Sequence, residues 1–139
     1  MTKPLEFQNP DALFDPTPYG YCHTVKAPPG GQLVYISGQF GGEGAANTLS
    51  DDFRHQTQAT LNNLGRALKA HGLDYTNIMK ITVLIVDHSA EKLAVWGEEM
   101  RHCWPMDKLP ASTLIPVPQL ALETMQIEVD AVAWKAADV

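Results

Sequence analysis

The chain is 139 residues long, with 45% hydrophobic and 19% charged residues and a formal net charge of −6 at pH 7. Such a length suits one domain of the usual roughly 100–200 residues, large enough to bury a core without disulfide or metal staples. The acidic balance leaves a phosphate-backbone partner dependent on a local basic patch, and the ten lysines and arginines are scattered singly, which disfavours nucleic acid.

Four of the ten prolines fall in the first twenty residues, which lack periodicity, so residues 1–18 read as an irregular lead-in to a single domain, 1–139. YGYCHTV (Tyr19–Val25) and QLVYISG (Gln32–Gly38) are rich in aromatic and β-branched residues and are separated by KAPPGG. That pattern predicts a β-hairpin. A glycine-rich loop, GQFGGEGAANT, follows. Ser50 offers its hydroxyl as a helix N-cap, with Asp51 and Asp52 complementing the positive end of the helix dipole. Phe53, Thr57, Leu61, Leu64 and Leu68 then mark one helical face at steps of three or four, and Gly72 suits the left-handed residue past the helix end.

IMKITVLIVD (Ile78–Asp87) is nearly continuous in apolar character and predicts a central strand covered on both faces. Ser89 can cap a second helix, in which Leu93, Trp96, Met100 and Trp104 keep the helical spacing. KLPASTLIPVP, Lys108 to Pro118, reads as a strand entered by a turn at Pro110 and ended by Pro116 and Pro118. In MQIEVDAVAW (Met125–Trp134), Ile127, Val129, Ala131 and Ala133 point one way and Gln126, Glu128 and Asp130 the other. The order is β-β-α-β-α-β-β, a two-layer α+β domain with two helices on a mixed sheet. The sheet's other face carries Lys80, Thr82, Leu84, Glu128 and Asp130 and has no helices of its own, which implies a homo-oligomer.

Few motifs carry chemistry on spacing alone. Cys22 and Cys103 have no C-x-x-C partner and read as buried or half-buried thiols. The histidines His23, His55, His71, His88 and His102 show neither H-x-H nor H-E-x-x-H spacing, which argues against a metal site; His55 and His71 read as exposed helix positions. No G-x-S-x-G elbow supports a serine hydrolase. GQFGGEG fits neither the dinucleotide nor the P-loop pattern, and reads either as a turn or as backbone open to an anionic ligand. Glu128 and Asp130 share a strand face: either one serves in proton transfer, or both are solvated or paired with Lys80 or Arg66. The opening MTKPLEFQNP lacks an apolar signal region and no segment reaches the ~18–20 apolar residues of a membrane span, so the expectation is a soluble cytoplasmic protein without a membrane partner.

Four stretches resemble the RidA/YjgF-type family of reactive enamine/imine deaminases. PYGYCHTV resembles that family's Pro-Tyr-Ser-Gln-Ala opening, and LVYISGQF is close to its Val-Ser-Gly-Gln strand end. Phe53 to Asp87 resembles its first helix and following strand, and IEVDAVAW its closing Ile-Glu-Ile-Glu-Ala-Ile-Ala. The resemblance runs from about Tyr19 to Trp134. It implies a chorismate-mutase-like α+β fold, assembled as a homotrimer with small-molecule clefts between subunits. It also implies hydrolysis of imines and enamines, released by pyridoxal-phosphate enzymes, to 2-keto acids and ammonia without a cofactor.

In the family's pattern a tyrosine near the start packs on the ligand, an arginine after a Pro-Ala turn clamps the substrate carboxylate, and a glutamate in the last strand positions the attacking water. By resemblance, Tyr19, Ser37 and Gly38 bind substrate and Glu128 is catalytic. The arginine has no match. PAST puts Ser112 directly after Pro-Ala, whereas counting back from Glu128 gives Thr113. The asparagine expected early in the second helix is also missing from LAVWGEE, where Trp96 stands. Lys108, Arg101 and His102 are the nearby cations, and nothing in the sequence places them at the site. A charge-assisted hydrogen bond contributes roughly 1.5–3 kcal/mol, so its loss weakens keto-acid imine binding by roughly one to two orders of magnitude or more. Ser112 and Thr113 still donate hydrogen bonds, which suits a neutral or differently shaped ligand. The expected function is hydrolytic deamination with altered substrate choice. The alternatives are a non-catalytic small-molecule-binding member of the same fold and, against the acidic balance, an endoribonuclease or translation inhibitor.

Overall fold

In the computed structural model, which describes residues 4–138, the chain runs β1 (Glu6–Gln8), β2 (Thr24–Lys26), β3 (Gln32–Phe40), α1 (Phe53–Lys69), β4 (Ile78–Val86), α2 (Ala90–Met100), β5 (Ala111–Val117) and β6 (Ile127–Lys135). Short 3-10 turns occupy Thr17–Tyr19 and Tyr75–Asn77. The main sheet has the order β3-β6-β4-β5, with β6 antiparallel to both neighbours and β4 parallel to β5. The parallel pair requires a crossover, and α2 supplies it. Both helices therefore cover one face of a mixed sheet, as the α+β reading predicts.

Periodicity places the core. Leu61, Leu64 and Leu68 of α1 meet Ile81, Val83 and Ile85 of β4 and Ile127 and Val129 of β6 in one buried cluster. From α2 and the turn after it, Trp96, Met100 and Trp104 join that cluster, but Leu93 stays 46% exposed. The helix termini obey local chemistry with one correction. Asp52, not Ser50, is the N-cap of α1: its side chain accepts from His55 N at 2.9 Å, while Ser50 Oγ accepts from Asp52 N at 3.1 Å one step outside. Beyond α1, Gly72 takes φ 72° while Gly72 N and Leu73 N donate to the Lys69 and Leu68 carbonyls, the left-handed ending expected of glycine. Ser89 caps α2 as its position predicts, accepting from Lys92 N at 3.1 Å.

Three strand expectations change. The β2–β3 hairpin does not form: β2 pairs antiparallel with β1, and β3 pairs with β6. Gly30 and Gly31, at φ 89° and 77°, turn the chain out of the small sheet and into the large one. The lead-in accordingly contains β1, though its residues 1–3, like Val139, lie outside the described residues. β4 is central, but only its Ile78, Ile81, Val83 and Ile85 side is fully buried; Lys80, Thr82, Leu84 and Val86 are half-buried on the helix-free face. Pro116 does not end β5, because β5 is an edge strand, where a missing ladder N–H is tolerated.

Candidate active site

The N-terminal segment is tied to the end of α2 and the start of β5. Tyr19 N and Gly20 N donate to the Pro16 and Thr17 carbonyls at 2.8 and 3.0 Å, closing the turn that presents Tyr19. Hydrogen bonding by the Thr17 side chain and backbone N–H holds the Asp15 carboxyl below its ordinary range. Gly20, at φ 86°, packs where a Cβ would lie 3.0 Å from Met100 Sδ. Cys22 N donates to the Pro110 carbonyl at 3.0 Å and Cys22 bridges to Ala111. Across the gap the Arg101 guanidinium, one residue past α2, donates to the Pro18 carbonyl.

These ties leave a cleft of about 690 Å³ between the turn, α2 and β5. Phe14, Tyr19 and Tyr21 form its aromatic wall, Trp96 and Arg101 the helix side, and Ser112 and Leu114 the strand side. Phe14 holds that wall together by edge-to-face contacts with Tyr19 at 6.0 Å and His23 at 5.0 Å. The Phe14 carbonyl and His23 Nε2 also lie 2.8 Å apart. Tyr19 remains 67% exposed, its ring open to a ligand.

A second group lies on the helix-free face of the sheet. The ladder between β3 and β6 passes from Ile36↔Ala131 to Gln39↔Val129, so Ser37 and Gly38 form a bulge. A Cβ on Gly38 would crowd the Glu128 carboxylate, which reaches over the glycine. Nearby, Asp130 Oδ1 accepts from Thr82 N at 3.2 Å. Lys80 Nζ lies 2.6 Å from Thr113 Oγ1, and Arg66 donates to Asn63 Oδ1 at 2.7 Å. Neither cation pairs with Glu128 or Asp130.

The six residues singled out by sequence thus fall into two sets. Tyr19 and Ser112 line one cleft. Ser37, Gly38, Glu128 and Thr113 lie on the opposite face. Register separates the two candidates for the missing arginine: Ser112 pairs with core-facing Ile81, and Thr113 pairs with outward Thr82. Sequence reasoning left Arg101 unplaced and passed over Phe14. A signal for Arg101 existed in Leu93, Gly97 and Arg101, which stand four apart on the helix and share one stripe along the cleft.

Other candidates prove structural. Gly41 lies against α1, where a Cβ would fall 2.8 Å from the Gln56 carbonyl, and Asn63 Nδ2 donates to the Phe40 and Gly42 carbonyls. GQFGGEG is therefore divided: Gly38 to Phe40 end β3, and Gly41 and Gly42 are tied against α1. Cys22 is buried with its thiol 3.0 Å from the Thr24 carbonyl. Cys103 is half-buried, and burial pushes its thiol up, away from the thiolate a nucleophile needs. Among the described residues no three His, Cys, Asp or Glu side chains cluster as a metal site, and no helix is long and apolar enough to cross a membrane.

The family model described as Endoribonuclease L-PSP matches residues 16–135. Human 2-iminobutanoate/2-iminopropanoate deaminase is 42% identical over 57 residues, so the match spans 40% of this chain and only 42% of that protein's length. A RutC family protein of Pyrococcus horikoshii is 27% identical over 124 residues, covering 86% of this chain and 91% of that protein. Among solved structures, YyfB of Yersinia pestis, a conserved Rid-family protein of unknown function, aligns with TM-score 0.83 at 27% identity, covering 95% of this chain and 99% of that one.

Proposed function

Because the chain belongs to the RidA/YjgF family, that of Endoribonuclease L-PSP, we propose that it is a hydrolytic deaminase of reactive enamines or imines, with substrate choice altered by Ser112. The observation that carries the reading is the cleft in which Tyr19 and Ser112 come together, the positions that the family resemblance assigns to substrate. Hydrolysis adds water to the imine carbon, after which the C–N bond breaks to give a carbonyl compound and ammonia. Glu128 holds the water and takes its proton, which passes to the departing nitrogen.

Within one chain, Glu128 and the Tyr19–Ser112 cleft lie on opposite faces of the sheet. The reading therefore includes a homotrimer, in which the Glu128 face of one copy abuts the cleft of the next. Apolar Tyr35 and Ile115, 76% and 43% exposed on that face, support such burial. A cytoplasmic location, alongside the enzymes that release such intermediates, belongs to the same reading.

The neutral Ser112 wall favours a second reading, a small-molecule-binding protein without turnover. Ammonia release from 2-iminobutanoate generated in situ separates the two. A rate above background that is lost in Glu128→Gln supports the deaminase. A background rate in the wild type, together with ligand-induced thermal shifts, supports binding alone.

A further inference from the structure

We propose that Arg101 is the anion-recognition residue of the cleft, and that the cleft takes a carboxylate joined to a bulky apolar or aromatic body. The proposal deepens the reading above, since it rests on the same cleft as the ligand site.

Among the described residues, Arg101 is the one charged side chain lining that cleft, in a chain whose formal net charge is −6. Among the described residues no carboxylate pairs with it. Its guanidinium is held at one end: Nη2 donates to the Pro18 carbonyl, within the turn that presents Tyr19. An arginine has five N–H donors in a planar fork, so the contact to Pro18 fixes its direction and leaves donors for a carboxylate. Gly97, one helical turn earlier, gives the guanidinium room: a Cβ there would sit 3.3 Å from Nη1 and press it aside by a few tenths of an ångström. The guanidinium thus lies along a helix surface cleared of side chain.

The remaining walls select the rest of the ligand. Ser112, the residue directly after Pro-Ala, contributes a neutral hydroxyl on the strand side, while Phe14, Tyr19, Trp96 and Leu114 surround it with apolar surface. The volume of about 690 Å³ lies within the roughly 300–1,000 Å³ that accommodates ligands of drug size. A short imino acid held at Arg101 would leave most of that surface wet. A phenyl-bearing acid would cover it.

Calorimetric titration of the whole protein with phenylpyruvate, pyruvate and neutral phenylacetamide tests the assignment. Phenylpyruvate is expected to bind at least tenfold more tightly than either of the others, with an affinity that falls as salt rises. Arg101→Gln should lose tenfold or more for phenylpyruvate and leave phenylacetamide unchanged. Arg101→Lys, which keeps the charge without the fork, should recover only part of the loss and controls for misfolding. Equal binding of phenylpyruvate by Arg101→Gln and wild type overturns the proposal, as does a wild type that fails to prefer phenylpyruvate to phenylacetamide. Ammonia release from 2-iminobutanoate and from the imine of phenylpyruvate, each generated in situ, is followed in parallel. Anion preference without turnover sinks the deaminase reading and keeps Arg101, whereas turnover untouched by Arg101→Gln does the reverse.

Discussion

A Cβ placed on Gly38 would fall 2.6 Å from the Cδ of Glu128, so the carboxylate occupies space that only glycine leaves on the β3 bulge. Gly38 is not among the glycines with positive φ, so alanine there needs no left-handed backbone, and the three atoms nearest its Cβ all belong to Glu128. Overpacking of this kind costs about 1–3 kcal/mol unless the crowded side chain turns aside. Gly38→Ala should therefore fold, with a melting temperature lowered by a few degrees, and should lose ammonia release nearly as fully as Glu128→Gln. Wild-type rates in Gly38→Ala would show that the position of Glu128 is irrelevant to turnover.

Ser112 and Thr113 are neighbours with opposite outlooks, one towards the cleft and the other towards Lys80. Ser112→Arg should add a bidentate carboxylate partner worth roughly 1.5–3 kcal/mol or more, raising kcat/KM for 2-iminobutanoate by about tenfold or more. Thr113→Arg places the charge beside an existing lysine on the other face and should bring no gain. Steady-state rates of the two variants decide the alignment; a gain confined to Thr113→Arg would reverse it.

Much of the fold is legible because large apolar residues carry its periods. Leu61, Leu64 and Leu68 mark α1, and Ile127, Val129 and Ala131 mark the buried side of β6. Partner choice is different. β2 and β3 both look like strands, and KAPPGG looks like their turn, yet β2 pairs with β1 through Phe7↔Val25. Nothing local to β2 encodes that preference. Asp52 and Ser50 are equally good cap residues, and only the extended backbone of Asp52, ψ 125°, settles which one closes α1. The site shows the same division. Strand alternation says that Ser112 and Thr113 diverge, but only the register with β4 says which one meets the cleft. Arg101 lies on a visible helical stripe, while its contact with Pro18 spans 83 positions of sequence.

The two helices are joined by charge as well as by packing. Arg54 Nη1 lies 2.6 Å from Glu99 Oε2, Arg54 Nη2 lies 2.8 Å from Glu98 Oε2, and Gln58 donates to Glu99 Oε1 at 3.0 Å. Burial pushes the Glu99 carboxyl up, but hydrogen bonds from Gln58 and Arg54, with the Arg54 charge, outweigh it and hold the group below its ordinary value. A carboxyl whose pKa is depressed by folding stabilises above its unfolded value of about 4.3, and that contribution disappears as pH falls through the lower folded value. Glu99→Gln should lower the melting temperature by a few degrees at neutral pH, with the gap to wild type closing in acid. A gap of constant size across that range would assign the effect to shape rather than charge.

The helix-free face makes the last prediction the most direct test of assembly. Val132 sits near its centre, opposite Tyr35 on β3 and Lys80 on β4, and points away from the core that holds Ala131 and Ala133. A lysine at position 132 meets solvent in an isolated chain and is harmless there. Packed against the cleft side of the next copy it is a charge beside Lys80 taken out of water. Sedimentation equilibrium of the wild type should give three times the 15.3 kDa chain mass, and Val132→Lys should sediment as a single chain with an unchanged circular dichroism spectrum. Since Glu128 and the cleft occupy opposite faces of one chain, the monomeric variant should also lose ammonia release while keeping both sets of residues intact. A wild type that sediments at 15.3 kDa would remove the homotrimer. Full activity in monomeric Val132→Lys would show that the two faces need not meet, and the role of Glu128 would fall with that result.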